Sequence, residues 1–212
     1  MMTSEPETDI NHTMAKVMSV LFHPLFMPVY GMLIIFSAPT LLGYLPMPVK
    51  KILFTVVLIN NVVIPLILMP FFRFRNIISS YEMEERKERI FPLIAVTLLY
   101  SITSIVIYRF QIPVFFKSFF ISSSFLVLIV TIINFWWKIS VHSVGAGALT
   151  ALVFVLSIKM YTALTWYIIA VILVAGLILS SRIKLNTHSP AQVWTGFAAG
   201  LTVLTVLMLL FF

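Results

Sequence analysis

Two histidines and an arginine, His142, His188 and Arg182, are the side chains here whose type and spacing could do chemistry. Ser181 to Gln192 reads Ser-Arg-Ile-Lys-Leu-Asn-Thr-His-Ser-Pro-Ala-Gln and lies between two long apolar runs. Ser189 can cap a helix, Pro190 suits its first turn, and the apolar run to Phe212 supplies the body. His188 then sits just ahead of a helix N-terminus, where free N–H groups and the positive dipole end favour an anion. Arg182, about two turns upstream if that segment is helical, can reach the same anion as a planar fork. The chemistry to expect is the holding of a phosphate. The plainer alternative is an interfacial loop whose cations meet lipid headgroups.

Further candidates lie upstream. Ser140-Val141-His142 precedes the small residues Gly145-Ala146-Gly147-Ala148, so His142, like His188, is expected at the start of a helix. The segment from Arg73 to Arg89 carries the cations Arg86, Lys87 and Arg89 and four of the seven acids, Glu82, Glu84, Glu85 and Glu88. If Glu84 to Arg89 is helical, Arg86 and Arg89 share a face with Lys87 to the side, and Glu84 and Glu88 pair with basic neighbours. The alternative is a solvated charged loop. The other three acids, Glu5, Glu7 and Asp9, are N-terminal, so no carboxylate follows Arg89. A metal hydrolase wants clustered His and carboxylate ligands, and an isoprenoid transferase wants aspartate pairs for magnesium diphosphate. Neither set is available in the second half. With no cysteine, thiolate nucleophiles, thiolate metal sites and disulfides are excluded as well.

The elements that must position these residues are membrane helices. With 61% apolar and 10% charged residues, the chain has too little polar surface to coat a globule in water. The fold expected is all-α, a polytopic integral membrane bundle of about seven spans, with six as the alternative count. A polar tail over 1–16, without the basic start of a cleavable signal, precedes a single helical domain over 17–212. The spans run from about Val17 to Leu42, Lys51 to Phe72, Phe91 to Tyr108, Phe119 to Trp137, Gly145 to Lys159, Leu164 to Ser180 and Ala191 to Phe212. The first opens with His23-Pro24, which predicts a kinked or irregular start. A histidine inside a span is a functional candidate; beside a proline, the alternative is a hydrogen bond to freed backbone. Asn60, Asn61 and Pro65 predict polar contact between the second span and a neighbouring helix. The third and fourth spans read as ordinary apolar helices, with Trp136 and Trp137 at an interface. Gly196 and Gly200 mark a close-packing face, within the chain or between protomers.

Seven crossings put the N-terminal tail and the loops at 73–90, 138–143 and 181–190 on one side. Arg86, Lys87, Arg89, Lys138, Ser140, His142, Arg182 and His188 can then converge on one surface. The other side has Lys50, Lys51, Arg109, Lys117 and Lys159 and no histidine.

Ser181-Arg182, five residues, then His188 resembles the third signature of the type 2 phosphatidic acid phosphatase family, Ser-Arg-x5-His-x3-Asp. Ser140-Val141-His142 is similar to its second, Pro-Ser-Gly-His, and Arg86 to Pro92 resembles a worn form of its first, Lys-x6-Arg-Pro. The resemblance covers the chain from about residue 80 to the end, which would be the phosphatase-like core. It implies a metal-independent, cofactor-free hydrolase in which His188 attacks phosphorus and forms a phosphohistidine. His142 would protonate the leaving oxygen, while Arg182, Ser140 and one or more of Arg86, Lys87 and Arg89 hold the phosphoryl oxygens. Neutral imidazole is a competent nucleophile, and arginines with helix N-termini can spread transition-state charge.

Three departures bear on that expectation. Gln192 stands where the third signature has Asp, so the carboxylate that would orient His188 is absent unless Glu85 or Glu88 replaces it. Ile139 and Val141 stand where the second has Pro and Gly. Glu82 occupies the lysine position of the first when Arg89 is aligned with its arginine, and Pro92 comes two residues late. The expected substrate is a membrane lipid phosphate or an isoprenoid diphosphate. The alternative is a weak or inactive relative that binds or transports a phosphorylated lipid; a purely structural membrane protein ranks third. Partners expected are the bilayer and its lipid, no nucleic acid, with homo-oligomerisation left open. The location implied is the cell (inner) membrane. Nine of the fourteen Lys and Arg residues lie on the site side, which would make it cytoplasmic. Without Arg86, Lys87, Arg89 and Arg182 the two sides are equal, and the resemblance leans towards an extracytoplasmic site.

Overall fold

Proline sets the breaks in the first two spans. The computed structural model describes residues 10–83 and 85–212, which leaves Glu5, Glu7, Asp9 and Glu84 outside it. Helix α1 (Ile10–Leu21) stops just before His23-Pro24, and a single 3-10 turn (Pro24–Phe26) links it to α2 (Met27–Ser37), with Pro28 in the first turn. Part of the expected polar tail is therefore helical, and a membrane-length apolar stretch already begins at His12. The second span is α3 (Met47–Leu58) and α4 (Ile64–Phe74), joined by a π turn (Ile59–Val63). Pro65 has no N–H to donate and its ring crowds the preceding turn, so the helix widens there. Asn61 in that turn is buried, and its Oδ1 accepts from Thr103 Oγ1 at 2.6 Å, the inter-helix contact expected of it.

The remaining spans are single helices: α5 (Ile90–Tyr108), α6 (Val114–Asn134), α7 (Val141–Lys159), α8 (Thr165–Lys184) and α9 (Pro190–Phe211). The described residues thus contain seven helical stretches long and apolar enough to cross a membrane, and no strand. The protein is an all-α, polytopic integral membrane bundle. Helix α6 starts earlier and ends earlier than expected. Pro113 precedes its first turn, Lys117 is accommodated over the Tyr108 ring at 5.1 Å, and Trp136 and Trp137 lie beyond its end. Nor are α5 and α6 purely apolar. Thr97 meets Thr131 at 2.8 Å and Ser101 meets Ser124 at 3.0 Å, a hydroxyl seam between the two helices.

Helix α7 lies at the centre. Its Gly147 faces the backbone of Phe197 and Leu201 in α9, while Gly196 and Gly200 of α9 face the backbone of Ser140, Val144 and Ala148. The two small-residue faces pack on each other within the chain, so Gly196 and Gly200 are not available for contact between protomers. This seam holds the N-terminus of α7, with His142, beside that of α9, with Gln192; the Ser140 N–H donates to the Gln192 carbonyl at 3.4 Å.

Candidate functional site

Local sequence shapes the α8–α9 connection. Helix α8 runs on to Lys184, which puts Arg182 in its last turn rather than in a loop. Asn186 then takes a left-handed conformation (φ 51°), a position where Asn is tolerated and which reverses the chain. Ser189 caps α9, its Oγ accepting from the Gln192 N–H at 3.3 Å, and Gln192 reaches back to accept from the Ser189 N–H at 3.1 Å. This capping box, with Pro190 in the first turn, realises the expected helix start.

Gln192 serves His188 with the same oxygen. Its Oε1 lies 3.2 Å from His188 Nδ1. A backbone N–H donates to that atom, so it is the amide oxygen, and His188 Nδ1 must be the donor. On the other edge of the ring, Nε2 lies 3.5 Å from an Arg89 guanidinium nitrogen. Arginine can only donate, so Nε2 offers its lone pair. Both contacts select one tautomer, with the proton on Nδ1 and the lone pair on Nε2. Burial, then the charges of Arg89 and Arg182, push the His188 pKa down to about 4 against the opposing bond to Gln192, with Lys138 a lesser cause. His188 is a neutral base at ordinary pH.

The first span supplies the rest. Ser19 of α1 links two elements: its Oγ accepts from Arg182 at 2.9 Å, and its carbonyl lies 3.1 Å from His142 Nε2, which therefore carries the proton. His23 stacks edge-on against His142, ring centres 5.4 Å apart. Arg89 and Arg182 are 8% and 9% exposed. Arg89 Nε donates to the Met83 carbonyl at 2.8 Å, and Arg182 Nε is buried without a hydrogen-bond partner among the described residues. Neither guanidinium is bonded to a carboxylate among the described residues. Glu82 acts on Arg182 through its charge without a hydrogen bond, so among the described residues two buried cations share one distant carboxylate, a costly arrangement.

These groups line one cavity of about 870 Å³. Lys16, Ser19, His23, Arg89, Lys138, His142, Arg182 and His188 face it at one end, with Glu82 as the one carboxylate among its described lining residues. Its walls continue into the bundle as Met27, Met69, Tyr100, Phe119, Leu126, Val127 and Leu149. The site therefore has a cationic end and an apolar arm. Among the described residues, no three His or acidic side chains are grouped to hold a metal ion.

Several expected residues are placed elsewhere. Ser140 is fully buried, and its Oγ accepts from the Ser143 hydroxyl at 2.9 Å and N–H at 3.5 Å as the cap of α7. It does not line the cavity. A single 3-10 turn (Lys87–Arg89, capped by Arg86) stands in place of the expected helix, and although it keeps Arg86 and Arg89 three residues apart on one turn, their side chains reach different partners. Arg86 donates to the Asn134 and Phe135 carbonyls, satisfying the C-terminus of α6, and Asn134 Nδ2 returns a bond to the Arg86 carbonyl at 3.2 Å. Lys87 is exposed and outside the cavity. Glu88 does not reach His188; its Oε1 accepts from the Ser79 N–H at 2.8 Å. Glu85 is exposed and also outside the cavity lining, and the pairing expected of Glu84 lies outside the described residues. Of the first-signature cations, Arg89 alone joins the cavity. Ser19 carried no signal in the sequence, since its role is half backbone carbonyl and half a hydroxyl among many.

No protein-family model, curated protein or solved structure matches this chain.

Proposed function

We propose that the protein is a metal-independent phosphatase of an amphiphilic substrate, a lipid phosphate or isoprenoid diphosphate, and a divergent relative of the type 2 phosphatidic acid phosphatases. The observation that carries this reading is the pair of buried guanidiniums, Arg89 and Arg182, without a bonded carboxylate, beside a neutral imidazole whose lone pair faces one of them. A phosphoryl anion balances the excess positive charge that Glu82 alone leaves, and accepts from Arg182 Nε, which has no hydrogen-bond partner among the described residues. The apolar arm of the cavity suits the tail of the same molecule.

In this mechanism His188 Nε2 attacks phosphorus, forming a P–N bond as the P–O bond to the leaving group breaks. Gln192 holds Nδ1–H throughout. His142 spends its Nε2 proton on the Ser19 carbonyl, so the proton for the leaving oxygen rides on Nδ1 of its protonated form. Water then attacks the phosphohistidine, gives its proton to His142 and releases inorganic phosphate. Ser140 acts here as a helix cap, and Arg89 with Arg182 as the phosphoryl clamp. An extracytoplasmic site in the cell membrane is part of the proposal.

A second reading, binding or transport of a phosphorylated lipid without efficient turnover, is favoured by one observation: the partner of His188 Nδ1 is a neutral amide. Phosphate release from phosphatidic acid, phosphatidylglycerol phosphate and an isoprenoid diphosphate, with chelator present, separates the two. Turnover that disappears in His188→Ala is expected. No release from any substrate, with Gln192→Asp equally silent, would transfer the case to binding or transport.

A further inference from the structure

His23 takes no part in the reaction drawn above, yet it lines the cationic end of the same cavity. Its position follows from the proline beside it. Pro24 lacks an N–H, so Leu25 offers the first free donor of the turn, and His23 Nδ1 accepts it at 3.3 Å as the turn's cap. A ring nitrogen that accepts a backbone N–H carries no proton, which leaves the proton of the neutral ring on Nε2. Among the described residues no group is hydrogen-bonded to that Nε2.

His142, edge-on to it at 5.4 Å between ring centres, is the same tautomer engaged at the other nitrogen: its Nε2 proton goes to the Ser19 carbonyl, and Nδ1 is left with its lone pair. His23 thus presents a fixed donor, while the Nδ1 of His142 is left open to take and give the proton of the reaction. Arg182 is tied to the same Ser19 through its hydroxyl.

We propose that His23 is a ligand-binding residue of this site, donating its Nε2–H to a phosphoryl oxygen held at Arg182. It adds a hydrogen bond to the anion without adding a further cation beside two buried arginines, and the Leu25 N–H keeps it in that role. The inference rests on the phosphoryl-binding reading of the cavity. A histidine that merely capped the turn would need only Nδ1.

Two substitutions separate the roles. His23→Asn keeps an acceptor near Nδ1 for the Leu25 N–H and removes the distal donor; His23→Gln carries an amide N–H out towards the Nε2 position. The full chain in detergent is titrated with orthovanadate, and phosphate release from phosphatidic acid is followed in parallel. We expect H23N to weaken vanadate binding and raise KM by about tenfold or more, the range for a hydrogen bond to a charged group, with melting temperature near wild type. H23Q is expected to recover most of that loss. Wild-type affinity and KM in H23N would overturn the role of His23 alone. A wild-type protein that neither binds vanadate nor releases phosphate would overturn the phosphoryl reading and this inference together. Should H23N fail to fold, ring 15N resonances of wild-type His23 provide the readout. Vanadate is expected to move Nε2 and leave Nδ1; an unmoved Nε2 would overturn the proposal.

Discussion

One oxygen, Gln192 Oε1, accepts from both the His188 ring at 3.2 Å and the Ser189 backbone N–H at 3.1 Å. The residue that closes the capping box of helix α9 is thus the residue bonded to the candidate nucleophile, and any change at 192 acts on both.

Gln192→Glu keeps the reach and completes a capping box of the Ser-x-x-Glu kind, while adding a negative charge to Nδ1–H. We expect turnover to rise by about tenfold, since the developing imidazolium-like charge gains a counter-charge, with stability held or raised. Gln192→Ala removes cap and orienter together, costing about 1 kcal/mol of stability and most of the turnover. Phosphate release and thermal unfolding of the same preparations check both. A fall in Gln192→Glu would mean that charge at this position is not what limits the reaction.

The low His188 pKa sets a pH window. Because the folded value, about 4, lies below the ordinary 6.5, the ring is unprotonated above 6.5 in folded and unfolded chains alike. Between 6.5 and about 4 the unfolded chain binds the extra proton, so stability falls as pH falls through that window. His188 itself stays neutral across it, and the acid limb of kcat/KM assigned to His188 is expected near 4 rather than 6.5. Arg89→Gln should move that limb upward only part of the way, since burial, the larger cause, remains. His188 ring 15N titration follows the limb directly.

Arg182→Lys retains a charge and loses the fork. We expect a drop of about a hundredfold in kcat/KM. Ser19→Ala, which frees Arg182 but leaves the backbone carbonyl for His142, should cost much less. Equal losses in the two would show that the hydroxyl, not the fork, carries the effect.

Close packing of α7 on α9 makes its own prediction. A methyl at Gly200 meets the Val144 carbonyl and one at Gly147 meets the Phe197 carbonyl, backbone that cannot step aside. Gly200→Ala is expected to destabilise by about 1–3 kcal/mol and to lower turnover by separating His142 from His188. Gly176→Ala, inside helix α8 with no atom within 4 Å of the added methyl, should leave turnover unchanged and hold or raise stability. Unfolding curves of the two variants decide it.

Val127 lines the apolar arm. Filling that arm with Val127→Trp is expected to raise KM for long-chain lipid phosphates while leaving that for a short, soluble phosphate monoester unchanged. A parallel rise for both would separate the arm from the tail.

Seven spans, the break at Pro24, the cap at Ser189 and the polar contact of Asn61 were all legible from the sequence, because each depends on neighbours along the chain or on the bulk transfer of apolar residues out of water. The absence of cysteine and of any acid after Arg89 was equally plain and narrowed the chemistry to imidazole and guanidinium. Tertiary structure decided which of three neighbouring cations faces His188. Arg86 found the end of α6, far away in sequence, Lys87 stayed exposed, and Arg89 alone turned inward, because the carbonyls that end α6 take one guanidinium and the cavity takes the other. It also gave the Ser140 hydroxyl to Ser143 and the hydroxyl and carbonyl of Ser19 to Arg182 and His142. The seam of Gly147, Gly196 and Gly200 closed within the chain for the same reason. Side-chain partners a hundred residues apart are chosen by how helices pack, and packing is a property of surfaces that no local pattern carries.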